Sequence, residues 1–184
     1  MAIASTRKGA GTSDAVRGSA TRPAKRTGSF EALDACHRQV LEHLVRLRAL
    51  VELLDRDGVT TQAQGEAAAV EAFFSATARA HHADEERQVF PTLLACGEPE
   101  LVQAVRRLQQ DHGFIEENWI ELSPQLRALA GGYHWYDLDE LRHGIQVFGD
   151  LLHEHIELEE TVVYPMAKAA LVAGALTPPA PLSS

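Results

Sequence analysis

Several things are scarce in this chain, and each scarcity narrows it. Among 184 residues there are two cysteines, Cys36 and Cys96; they form no CxxC pair, which argues against a disulfide scaffold and a zinc-finger spacing. No apolar run approaches the roughly 20 residues that span a bilayer, and the N-terminus lacks the apolar core segment of a secretory signal. These absences lead to the expectation of a cytoplasmic protein in a reducing setting. No Ser-His-Asp order and no phosphate-cradling Gly-rich loop is present either. Aromatics are few at 6% while hydrophobic residues make up 45%, which fits a single globular domain with a substantial core.

The net charge of −9 hides an asymmetry. Residues 1–28 carry Arg7, Lys8, Arg17, Arg22, Lys25 and Arg26 against Asp14 alone, a net +5, so the remainder carries −14. This basic stretch, rich in Gly, Ser, Thr and Ala and without periodicity, is expected to be a disordered tail. An acidic body argues against a nucleic-acid-binding domain.

Against that background one phrase occurs twice, 74 residues apart: His81-His-Ala-Asp-Glu85-Glu86-Arg-Gln-Val-Phe-Pro91 and His155-Ile-Glu-Leu-Glu159-Glu160-Thr-Val-Val-Tyr-Pro165. Both read H-x3-E-E-x2-V-[F/Y]-P. On an α-helix, positions i and i+4 lie about 40° apart around the axis and one turn apart along it. Each phrase therefore aims an imidazole and a carboxylate at one region, and two such helices facing each other could hold metal between them. Pro91 and Pro165, each ten residues after its histidine, predict matched bends beyond the site.

The rest of the chain supplies the helices. Ser29 is the expected N-cap of the first, whose seam runs Phe30, Leu33, His37, Val40, Leu44, Leu47, Val51, Leu54 until Asp57-Gly58 breaks it. The second starts after Thr60 or Thr61, with a less regular seam through Val70, Phe74, Thr77, His81, Glu85 and Gln88 or Val89. Pro99 opens the third at N1. Its seam is Leu101, Val105, Leu108, His112, Ile115, Trp119, Leu122, Leu126, Leu129, with a kink expected at Ser123-Pro124. Asp137 and Glu140 form a capping box for the fourth, along Leu138, Leu141, Ile145, Phe148, Leu152, His155, Glu159, Val162, Met166. The expected fold is an all-α, up-down-up-down antiparallel four-helix bundle over 29–172, followed by a Pro-rich tail over 173–184.

Four helices thus each carry one in-phase histidine. A core histidine is ordinarily hydrogen-bonded and structural. Burying the carboxylates Glu85, Glu159 and Glu116, the last one turn beyond His112, beside four imidazoles is costly without cations. Two divalent ions would offset three negative charges. Phase separates the decoys: His153 and Glu157 lie about 160° from the His155 direction at about 100° per residue and are expected on the surface. His82 and Glu86, about 100° round from His81, are expected beside the site or on the surface. His43, His134 and His143 are expected at the surface, and Cys36 outside the ligand set. Imidazoles with carboxylates suit a pair of iron ions, with manganese as the alternative.

The arrangement of His37, His81-x3-Glu85-Glu86, Asp111-His112 and His155-x3-Glu159-Glu160, with Phe90-Pro91 and Tyr164-Pro165, resembles the hemerythrin-like, or HHE cation-binding, family over about residues 30–170. The resemblance implies a non-heme di-iron centre within a four-helix bundle. In it His37 and His81 would serve one iron, His112 and His155 the other, and Glu85 and Glu159 would bridge them. The family's oxygen carriers place two histidines on helix three and H-x4-D on helix four. This chain has His112-x3-Glu116 and His155-x3-Glu159 instead, and the extra carboxylate would favour ferric iron over reversible oxygenation. The implied function is reaction with O2, peroxide or NO, in binding, sensing or detoxification. The alternatives are an iron buffer or iron sensor with saturated metal, and a metal-stabilised interaction module.

Overall fold

The computed structural model describes residues 28–174, and among them there are helices and short connections but no strand. Four helical columns follow one another. Helix α1 spans Gly28–Asp57 and α3 spans Pro99–Ala130. Helix α2 runs over 61–95 and α4 over 138–172, each built of α-helical segments joined by wider turns. The basic tail expected over 1–28 and the Pro-rich tail expected over 173–184 lie outside the described residues, apart from Gly28, Ala173 and Gly174.

The ends are set locally. The Thr60 hydroxyl accepts from the Ala63 N–H at 3.2 Å, and Asp137 Oδ1 accepts from the N–H groups of Asp139 and Glu140 at 2.9 and 3.0 Å, each satisfying donors that a helix start leaves free. Pro99 stands in the first turn of α3, where its missing N–H costs nothing. Gly58, at φ 69°, turns the chain out of α1, a conformation that a Cβ disfavours. Helical backbone already begins at Gly28, so Ser29 lies inside the first turn of α1. The third helix continues through Pro124 to Ala130, with Leu122, Leu126 and Leu129 all buried on one face.

Each column packs on the next in the chain, and α1 also packs on α4, closing the ring of a four-helix bundle. The core within it is divided. One apolar cluster takes in Val40 to Leu54, Ala63 to Ala78, Ile115 to Leu129 and Leu141 to Ile156. The other takes in Phe30, Leu33, Val89 to Leu93, Leu101 to Leu108 and Val163 to Ala167. The break between them falls at His37 in α1, His81–Glu85 in α2, His112 in α3 and His155–Glu159 in α4. A single polar layer therefore sits between two dry halves.

Wide turns flank that layer. The Phe90 N–H bonds to the Glu85 carbonyl and the Tyr164 N–H to the Glu159 carbonyl, five residues back rather than four. Pro91 and Pro165 follow immediately. A helical proline lacks an N–H and crowds the carbonyl four residues earlier, and one extra residue in the preceding turn relieves that contact. The matched bends expected of the two prolines thus take the form of matched π-turns. A third such turn, Phe73–Ala78, corrects the expected seam of α2: Ala78 is buried and Thr77 exposed, because the added residue advances the phase by one position. No described helix is long and apolar enough to cross a membrane.

Candidate metal centre

His37, His81, His112 and His155, one from each column, converge with Glu85 and Glu159 in the polar layer. Both carboxylate residues are 0% exposed. They fall into two overlapping groups: His37, His81, Glu85 and Glu159 in one, and Glu85, His112, His155 and Glu159 in the other, the donor atoms within each lying within 4.8 Å of one another. Each carboxylate touches both groups. Glu85 Oε1 is 3.6 Å from His81 Nε2 while its Oε2 is 3.5 Å from His112 Nε2. Glu159 Oε2 is 3.1 Å from His37 Nε2 and 3.5 Å from His155 Nε2. The i,i+4 spacing of each phrase brings histidine and glutamate together, and the bundle brings the phrases together.

Two of the imidazoles are held from outside. Glu160 Oε1 lies 3.0 Å from His37 Nδ1, and Glu86 Oε1 lies 3.1 Å from His112 Nδ1. An ionised carboxylate only accepts, so each Nδ1 carries the proton and each Nε2 presents a lone pair to the centre. His37 Nε2 and His81 Nε2 then face each other at 3.2 Å, which requires a shared proton or a cation between them. The second glutamate of each phrase therefore orients the histidine of a different helix, α1 in one case and α3 in the other. The phrase H-x3-E-E contained this signal, since both glutamates are repeated.

The aromatic position of the phrase also acts at the site. Phe90 stacks on His112 at 5.5 Å and Tyr164 on His37 at 5.7 Å between ring centroids. Only the tyrosine has a hydroxyl, which donates to Glu85 Oε1 at 2.9 Å. The two halves of the site are thus related but not equivalent.

The two glutamates are shifted in opposite directions. Burial raises the Glu85 carboxyl, but the imidazoles of His81 and His112 outweigh it and hold it below the usual carboxylate range. Burial and the adjacent Glu85 push Glu159 well above that range. Burial, then the neighbouring His112, lowers His155 to about 3, and burial lowers His81 as well. The layer therefore resists charging of His81 and His155 and disfavours ionising both glutamates together. Glu85 Oε2, both oxygens of Glu159, His112 Nε2 and both nitrogens of His155 are buried without a hydrogen-bond partner. So many orphaned polar atoms in one place, most of them acceptors, are expensive unless cations satisfy the lone pairs. The donor set of imidazoles with bridging-capable carboxylates fits transition-metal ions such as iron.

Glu116 is placed elsewhere. Its carboxylate pairs with Arg79 at 2.6 Å, is a third exposed and belongs to none of the close donor groups. At one turn beyond His112 its direction is right, but the neighbouring arginine on α2 holds it at the rim. His82 is the converse. It stacks on His112 at 4.3 Å with the rings 18° from parallel and lies 5.3 Å from the His155 ring. His82, His112 and His155 offer a third close set of donors. The surface histidines lie where phase puts them: His134, His143 and His153 are exposed. His43 is half-buried, stacked on Phe73 at 3.7 Å. Cys36 is in none of the donor groups; burial pushes its thiol up to about 11.

A family model for the hemerythrin HHE cation binding domain matches residues 29–167. A curated relative, an uncharacterised protein of Haemophilus influenzae, is 32% identical over 148 residues, covering 80% of this chain and 83% of the relative. No solved structure matches the chain. The match embraces all four histidine-bearing columns and both glutamates that join the two donor groups, and the chain belongs to the hemerythrin HHE cation-binding domain family.

Proposed function

We propose that the protein is a non-heme di-iron protein that reacts with a small ligand, O2, peroxide or NO. The observation that carries this is the pair of buried donor groups sharing Glu85 and Glu159. In this reading His37 and His81 would hold one metal and His112 and His155 the other, with Glu85 and Glu159 offering carboxylate oxygens to both donor groups and manganese as the alternative ion. The alternating order in which successive helices traverse the two apolar clusters supports an up-down-up-down antiparallel course, which brings the four histidines to one level.

When bound, a pair of irons supplies the electrons and the Lewis acidity that act on a small ligand. The chain's own residues do the remainder. Glu86 and Glu160 fix the tautomers of His112 and His37. The two apolar clusters keep water from the layer and strengthen its electrostatics. Tyr164 Oη, 2.9 Å from Glu85 Oε1 and 3.4 Å from His37 Nε2, holds a proton at one side of the centre, and burial followed by Glu85 keeps that phenol well above its ordinary pKa. A small cavity of about 20 Å³, walled mainly by apolar side chains such as Phe74, Trp119 and Phe148, with Arg79, His82 and Glu116 also on its lining, adjoins the layer and suits a diatomic molecule better than an organic substrate.

The test is elemental analysis of protein purified without added metal. About two irons per chain is the expected result; zinc alone, or no metal even after anaerobic reconstitution with iron(II), rejects the reading.

A further inference from the structure

We propose that His82 is a third imidazole ligand, beside His112 and His155, at the second metal position. This rests on the paired-metal reading above and assigns to it a donor from an unexpected place.

His81 and His82 are adjacent on α2 and part to either side of the polar layer. His81 reaches His37 of α1, whereas His82 lies against His112 of α3 and His155 of α4. One ring nitrogen from each of His82, His112 and His155 can be chosen so that all three lie within 4.8 Å of one another. Metal–nitrogen bonds of about 2.1 Å allow separations of up to about twice that length, so small rotations of the rings suffice to close the set round one ion. A further observation points the same way. His112 Nε2 and both His155 nitrogens are buried with no hydrogen-bond partner, so two of the three imidazoles present unused lone pairs.

The place is also vacant of the donor that phase alone would send there. Glu116 of α3 is drawn away by Arg79 at 2.6 Å, and both Glu116 and His82 border the same small cavity. With His82 recruited, the second position has three imidazoles and the first has two, with the Tyr164 hydroxyl beside the first. The two ions would then differ in charge neutralisation and in available coordination positions, a difference built by α2 rather than α3.

The experiment uses the full chain stripped of metal and titrated anaerobically with iron(II) alone, comparing wild type with His82→Phe and His82→Ala. Phenylalanine keeps an aromatic ring over His112 and removes only the nitrogens. Wild type is expected to bind two irons. Both variants should retain one and bind the second on the order of tenfold or more weakly, since even groups behind the ligands commonly cost 10–100-fold. Binding of two irons by His82→Phe with affinities within about twofold of wild type, well below that cost, overturns the assignment of His82 alone. Fewer than two irons on wild type overturns the paired-metal reading itself. Should the variants fail to fold by circular dichroism, carbethoxylation of wild type decides: His82 must be modified in the metal-free chain and protected in the iron-loaded one, and equal modification in both states overturns the assignment.

Discussion

Glu159→Gln separates a metal centre from an ordinary buried ion network, because the two respond with opposite signs. In the metal-free chain Glu159 has no hydrogen-bond partner for either oxygen, and a Glu85 oxygen lies within 4.8 Å of it. Two unit charges at that separation repel by roughly 3–4 kcal/mol at an effective dielectric of about 20. Glutamine keeps the shape and removes the charge, but it gives up the 3.1 Å approach to His37 Nε2 and brings an amide that needs a partner. The net expectation is a gain of about 1–3 kcal/mol in metal-free stability at pH 8, or roughly 2–12 °C in melting temperature for a chain of this size.

The pH dependence fixes the sign. Burial and Glu85 raise the folded-state pKa of Glu159 above its unfolded value, so the folded state binds the extra proton. Stability is therefore lost as pH climbs from about 4.5 toward the raised value. Glutamine lacks that loss. The difference between variant and wild type should be near zero below about pH 4.5 and should grow toward pH 8. Iron reverses the ranking: at about 1,000 times its dissociation constant a ligand adds about 4 kcal/mol to the wild-type chain, and the variant forfeits most of this. Urea unfolding at several pH values, with and without iron(II) under anaerobic conditions, reads both effects. A metal-free variant less stable than wild type at pH 8, or a difference flat with pH, refutes the reasoning.

Three further outcomes follow from the same geometry. Glu116→Ala breaks a partly exposed pair with Arg79; it should cost no more than about 1 kcal/mol and leave iron content unchanged, and loss of an iron on elemental analysis would place Glu116 among the ligands after all. In the metal-free Glu159→Gln background, stability should fall as pH drops from about 6.5 toward 3. The fold keeps His155 neutral to about pH 3 while the unfolded chain takes up the proton near 6.5, an effect of at most roughly 5 kcal/mol. A urea midpoint unchanged between pH 7 and 4 contradicts this. Tyr164→Phe preserves the ring between Phe30 and His37 and removes only the donor to Glu85. Metal-free stability should drop by about 1–3 kcal/mol, and a loss under about 0.5 kcal/mol, the lower edge for a hydrogen bond, denies that hydroxyl its role.

Much of this protein was legible along the chain. The three-four alternation of Leu33, Val40, Leu44 and Leu47, or of Leu141, Ile145, Phe148 and Leu152, depends only on helical geometry and the burial of apolar surface; it announced the helices and one buried face on each. His37, His81, His112 and His155 occupied slots on those faces, and the phrase H-x3-E placed Glu85 and Glu159 beside two of them. The caps at Thr60 and Asp137 were equally local, since they concern groups three residues apart or fewer.

Tertiary structure decided what angular bookkeeping could not. A fixed 100° per residue fails across the wide turns at Phe73–Ala78, Glu85–Val89 and Glu159–Val163, where an added residue rotates everything after it; Ala78 rather than Thr77 is buried for that reason. Which of His82 and Glu116 lies nearer the donor groups was settled across the bundle, where His82 meets the rings of His112 and His155 and Glu116 meets Arg79. Glu86 and Glu160 orient histidines on α3 and α1, and Tyr164 reaches Glu85 79 residues away in the chain. Such contacts require helices distant in sequence to meet at one level. Sequence by itself determined which faces are buried and which donors they carry; only the packing of four helices determined which donors share a centre, because that depends on distances between chains of atoms that no periodicity records.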